Sequence, residues 1–200
     1  MLVAGCWDDS RAYMIDLDEL LRDAPVRTHH CRSTSASAAE VWAAACTLRL
    51  SDTRRLGRLV RWRLPGTPSD CTFRELLRRY PFTLLDEGPQ HSISGLCGRI
   101  WTFRADYPRL SGPADFAAWE EPGTVRVLFA TWTQEREDGR VELCDEARVK
   151  PVDRAAALRL RLLWGAVGRF EGLIGSEAIS RAVEATRSDP ARLVVDRVGR

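Results

Sequence analysis

Residues 125–152 read VRVLFATWTQEREDGRVELCDEARVKPV, and this stretch decides the fold. Val125 to Gln134 and Val141 to Val152 are rich in β-branched and apolar residues interleaved with polar ones, the pattern of two strands. Between them, Asp138-Gly139 is a strong two-residue hairpin signal, because the turn it favours needs positive φ at both central positions. If Glu137 and Arg140 flank that turn, Phe129, Thr131 and Thr133 share one face with Arg148, Glu146 and Cys144. Leu128, Ala130 and Trp132 then share the other with Val149, Ala147 and Asp145. Both faces mix apolar and polar residues, so alternation alone leaves the inner face open.

Working outward, Val26 to Thr34, Phe82 to Asp86, His91 to Phe103 and Asp115 to Glu120 also read as strands, with Glu-Gly-Pro-Gln at 87–90 as a turn. Asp16 to Leu21 suits a short helical turn that Pro25 ends. Ala38 to Thr47 suits a helix capped by Ser35 or Ser37. Asp52 is placed to cap a helix over Thr53 to Arg63, with Leu56, Leu59 and Val60 as its apolar stripe. Thr72 to Tyr80 is a further short helix. Asp153 opens a long one reaching about Arg187, with apolar residues at 160, 163, 167, 170 and 174. The order predicts an α+β fold: a curved antiparallel sheet wrapped around a long C-terminal helix. No βαβ alternation suggests a doubly wound parallel sheet. We expect one domain over 25–187, an N-terminal extension over 1–24 and a loose tail over 188–200, with Met14 a second candidate start.

The 200 residues are 44% apolar and 29% charged, which suits a globular core and argues against a fibrous or disordered chain. A net charge of +2 is too balanced for an obvious nucleic-acid binder. Of the 30 basic residues only Lys150 is lysine. A GC-rich genome explains that bias; a preference for planar, bidentate anion contacts is the sharper reading. The neutrality is an average. Arg49 to Arg79 carries nine arginines against Asp52, Asp70 and Glu75, or +6, and the rest of the chain is about −4. This region is the candidate for contact with an anionic membrane or an acidic protein, with a solvated helix face as the plain alternative. No apolar run approaches the ~18 residues of a membrane span. The six cysteines form no C-x-x-C pair, and a chain of this size needs no disulfide staples, so six free thiols in a reducing cytoplasm are expected. Val3-Ala4-Gly5-Cys6 looks like a lipoprotein cleavage box but lacks the basic start and apolar stretch of a signal.

Three segments carry a resemblance. Ser33 to Trp42, with its small residues before Glu40-Val41-Trp42, is one. Phe82 to Glu87 through Gly95 to Trp101 is the second. Cys144 to Val149, followed by the long helix, is the third. In this order and spacing they resemble the START-like (SRPBCC) superfamily, the polyketide cyclase/dehydrase and lipid-transport group, and an actinobacterial-type branch of it. The resemblance implies a helix-grip fold around an internal apolar cavity, and favours the Phe129 face as its concave wall. It does not imply one chemistry.

On that reading a small hydrophobic or amphipathic ligand would lie against Phe129, Thr131, Trp101, Trp164, Val167, Gly168, Phe170 and Gly172, with Glu146 and Arg148 fixing its polar end. Gly165, Gly168, Gly172 and Gly175 would thin one helix face over the cavity. A rival is a polyketide cyclase- or dehydratase-like enzyme using Glu146, Arg148 and His29 or His30 for proton transfer. Another is a protein-interaction module whose cavity is filled by side chains. No cofactor is expected. His29 and Cys31 would share a strand face, but two ligands are too few for a metal, so none is expected either.

Overall fold

The computed structural model describes residues 16–102, 107–167 and 171–187, and the side chains of 166–175 lie outside that description. Cys6, Met14 and the 188–200 tail fall outside it as well. The architecture is α+β, built on one five-stranded, wholly antiparallel sheet in the order β1-β5-β4-β3-β2. The strands are β1 (Val26–Thr34), β2 (Thr83–Gly88), β3 (His91–Gly98), β4 (Val125–Glu135) and β5 (Val141–Pro151).

The hairpin joining β4 to β5 sets the side-chain arrangement. Arg136 N donates to Arg140 O at 2.8 Å, and Gly139 N to Arg136 O at 2.9 Å. The loop is therefore three residues, 137–139, with Gly139 in the left-handed region at φ 74°. The two-residue turn expected from Asp138-Gly139 is corrected by one position. Phe129 stands opposite Ala147, Thr131 opposite Asp145 and Leu128 opposite Arg148. A one-residue shift exchanges every side chain between faces, so Glu146 and Arg148 do not share a face with Phe129.

One face is covered by α2 (Ala38–Thr47), α6 (Arg154–Val167) and α7 (Glu171–Arg187). Val41 from α2 and Ile179, Ala182 and Val183 from α7 pack on Val141 and Leu143. Leu160 of α6 packs with Leu96, Val125, Val127 and Val149. The opposite face holds α1 (Leu17–Leu21) and α5 (Pro113–Ala117). There Leu17, Leu21 and Phe116 bury Leu85, Ile93, Leu128 and Ala130. Burying side chains of this size contributes about 1.5–3 kcal/mol each. Gly95 allows the approach of Phe116, since a Cβ there would stand 2.7 Å from its ring.

Local signals explain much of this. Ser37 caps α2 in a reciprocal box with Glu40. Asp153 accepts from Ala156 N and starts α6. Other expectations are corrected. Asp115 to Glu120 is not a strand: Gly112-Pro113 starts the short helix α5. β3 ends at Gly98, short of Phe103. The region expected as helices 53–63 and 72–80 forms a 3-10 turn at Leu50–Asp52, α3 (Leu56–Arg63) and α4 (Phe73–Leu77). Asp52 accepts from Arg49 N and caps the 3-10 turn. The α3 end is instead capped from a distance, by the Glu177 carboxylate, which accepts from the N–H groups of Arg54, Arg55 and Leu56. Leu59, placed in the apolar stripe, is exposed. Within the stretch read as one long helix, α6 and α7 are helical, and residues 168–170 between them lie outside the described residues.

Candidate functional site

The two faces of β1 and β5 carry different polar constellations. On the α1 face, Arg27, His29 and Cys31 of β1 stand directly opposite Arg148, Glu146 and Cys144 of β5. Arg148 and Glu146 are both 3% exposed. The Glu146 carboxylate accepts from Arg148 Nε at 2.5 Å, from Arg27 Nε at 2.7 Å and from His29 Nδ1 at 3.0 Å. Arg148 Nη1 also donates to Leu21 O at 3.0 Å and to Asp18. Burial alone would raise the Glu146 pKa, but the Arg148 and Arg27 hydrogen bonds outweigh it and hold the carboxyl below its usual range. The Arg148 hydrogen bond likewise lowers Asp18. No buried side-chain nitrogen or oxygen of this network lacks a partner, and through Asp18 and Leu21 it clamps α1 to the sheet.

Beyond the clamp, His29 Nε2 lies 3.2 Å from Cys31 Sγ. Cys31 and Cys144 are joined by a disulfide across the β1–β5 pair, with their Cα atoms 4.2 Å apart. The expectation of six free thiols is corrected, and with it the ground for expecting a reducing compartment. Cys46, Cys71 and Cys97 are free.

On the helix face a straight row crosses the sheet: His30 opposite Asp145, Asp145 opposite Thr131, Thr131 opposite Ser92. Thr131 Oγ1 donates to Asp145 Oδ2 at 3.1 Å. Burial pushes the Asp145 carboxyl up to about 7, against the lowering effect of the Thr131 hydrogen bond. Ser94, on the same face, is 1% exposed. Ser94 Oγ and His30 Nε2 are buried with no hydrogen-bond partner among the described residues. Beside the row, Phe129 meets Phe82 edge-on, with ring centroids 5.7 Å apart.

The expected site residues are thus divided. Phe129, Thr131 and His30 belong to the helix face. Glu146, Arg148 and His29 belong to the other. Trp101 packs beside the helix-face cluster, with the Arg159 guanidinium 5.8 Å from its ring centroid. Trp164 is half-buried. Gly168 and Phe170 lie outside the described residues, as do the side chains of Val167, Gly172 and Gly175. Gly165 is exposed, with open space where a Cβ would stand, so it thins no contact. Asp145, Ser94 and Cys144 were not singled out by sequence. A signal was present: Arg27, His29, Cys31 and Cys144, Glu146, Arg148 each recur at spacing two. Neither a scan of protein-family models nor a search of curated proteins finds a match to this chain. The START-like resemblance therefore rests on the quoted residues.

Proposed function

We propose that the chain binds a small hydrophobic or amphipathic molecule, in helix-grip fashion, between the helix face of the sheet and its C-terminal helices. The observation that carries this is Ser94, a fully buried hydroxyl opposite Phe129 with no hydrogen-bond partner among the described residues, and His30 Nε2 is in the same condition. A buried polar group left unsatisfied costs about 1–3 kcal/mol, and a ligand's polar end would recover that. His30, Asp145 and Ser94 take the anchoring role first expected of Glu146 and Arg148, whose hydrogen bonds are already occupied. Phe129, packed edge-on against Phe82, supplies apolar wall.

Native mass spectrometry of freshly purified protein tests this. A co-purifying small molecule is expected, lost in Ser94→Ala without loss of folding. An empty protein that also ignores an apolar dye overturns it.

A second reading is a cyclase- or dehydratase-like enzyme. Asp145 and His30 favour it, because a carboxyl and an imidazole on paired strands suit proton transfer in a shielded site. Turnover of a polyketide abolished in Asp145→Asn, with binding retained, would support it.

In either reading the cytoplasm stays the proposed location, which requires the Cys31–Cys144 disulfide to resist or cycle with the thiols there. The Arg49 to Arg79 region would dock it to an anionic membrane: Arg58, Arg61 and Trp62 of α3 are exposed together. No helix among the described residues is long and apolar enough to cross a membrane. Co-sedimentation with vesicles that depends on anionic lipid and weakens with salt checks the docking.

A further inference from the structure

We propose that His29 Nε2, Cys31 Sγ and Cys144 Sγ form a zinc site, closed while the Cys31–Cys144 disulfide stands and opened by its reduction. The site is on the opposite face of the sheet from the ligand row and does not depend on that reading.

The geometry supplies the ligand set. The three donor atoms lie within 4.8 Å of one another. Two come from one strand at spacing two, and the third comes from the directly opposed residue of the next strand. Around a tetrahedral zinc, sulfur and nitrogen ligands sit roughly 3.5–3.8 Å apart. Parting the two sulfurs therefore needs side-chain rotation and no change of strand pairing. Sequence alone offered only His29 and Cys31; the β1–β5 register adds Cys144.

The surroundings match what such a site requires. A metal-bound imidazole usually donates its other N–H to a carboxylate, which fixes the tautomer and aims the free lone pair. His29 Nδ1 is 3.0 Å from Glu146 Oε2, and Glu146 is itself held by Arg27 and Arg148. Nε2 is left facing the sulfur pair. Two thiolates and one neutral imidazole make a neutral unit with Zn²⁺, of the soft donor type that favours zinc over magnesium or calcium. The His29 side chain is 50% exposed, so water can reach the fourth position.

The chemistry balances in two steps. An external dithiol gives two electrons and two protons to the S–S bond and closes to its own disulfide. Cys31 and Cys144 become thiols. Zinc then displaces one proton from each, two per ion bound. In the reverse direction an external disulfide takes the two electrons and, with two protons from solvent, becomes its dithiol; the Cys31–Cys144 bond re-forms and the ion leaves.

The test uses the full chain, disulfide-bonded and after reduction by a phosphine, titrated with Zn²⁺ against a chromophoric chelator. One tightly bound zinc per reduced chain is expected, and none at the same concentrations in the oxidised chain. His29→Ala should weaken binding by more than about tenfold, since losing even an outer-shell partner costs that much. In reduced protein, zinc should slow alkylation of Cys31 and Cys144, mapped by mass spectrometry, relative to Cys46. Oxidised protein binding zinc as well as reduced, equal affinity in His29→Ala, or unchanged alkylation of Cys31 and Cys144 would each overturn the proposal. The alkylation arm needs no variant, so it stands even if a substitution disturbs folding.

Discussion

The two faces of the same strand pair treat their buried polar groups in opposite ways. On the α1 face, Glu146 accepts three charge-assisted hydrogen bonds and Arg148 reaches both Glu146 and the end of α1. On the helix face, Ser94 Oγ and His30 Nε2 have no partner among the described residues, and Asp145 holds one hydrogen bond from Thr131. A satisfied network fixes a structure and has nothing left to offer a ligand. Unsatisfied buried groups are rare in folded proteins and call for an explanation. The contrast gives a structural role to the residues whose charge first drew attention, and it is the ground for proposing binding at their quieter neighbours.

Four variants would break or sharpen that contrast. The largest effect is expected for Glu146→Gln, which leaves Arg148 buried with the half-exposed Asp18 as its remaining counter-charge. Chemical denaturation should show a loss of about 3–5 kcal/mol, with apolar-dye binding per folded molecule unchanged; loss of dye binding with stability intact would reverse the assignment of the faces. Next is Asp145→Asn in the disulfide-bonded protein. The folded carboxyl titrates at about 7 against an ordinary 3.8. Between those values the folded state holds a proton that the unfolded state has released, so stability falls as pH rises through that window. Denaturation midpoints of the wild type should decline across it. The variant should lack the decline and gain up to ~4 kcal/mol at pH 8, at about 1.4 kcal/mol per unit. A smaller effect, about 1 kcal/mol of destabilisation, is expected for Gly139→Ala, because its positive φ sets the three-residue loop and so decides which face each residue joins. Thermal melts would read it. Smallest is Arg58→Ala with Arg61→Ala: on the exposed side of α3 it should stay within about 0.5 kcal/mol, yet lower co-sedimentation with anionic vesicles.

Much of the local structure was legible. The Ser37 box fixed the start of α2, and β1 runs over the nine residues whose composition suggests it. Asp153 marked the start of α6, its carboxylate accepting from Ala156 N. Short elements near Gly and Pro were less legible. Asp115 to Ala117 lie in a helix because Gly112-Pro113 gives it a start, and Phe116 then has a place over Gly95. The candidate site was half legible. Phe129, Thr131 and His30 were named, and the glycines and Phe170 near 168–175 fall outside the described side chains. Glu146 and Arg148 were right as neighbours and misplaced in face.

By itself the sequence determined what short-range forces determine: an α+β chain with helices where caps and apolar stripes agree, and strands where β-branched residues gather. Tertiary structure decided the rest. One extra loop residue at 137–139 chose the face, because side chains in a strand alternate with a period of two. The contacts that define both constellations join residues far apart in the chain. Cys31 and Cys144 are 113 apart, His29 and Glu146 117, and Glu177 caps a helix 121 residues upstream. No local propensity encodes such a contact, since its free energy exists only once the sheet has brought the partners together.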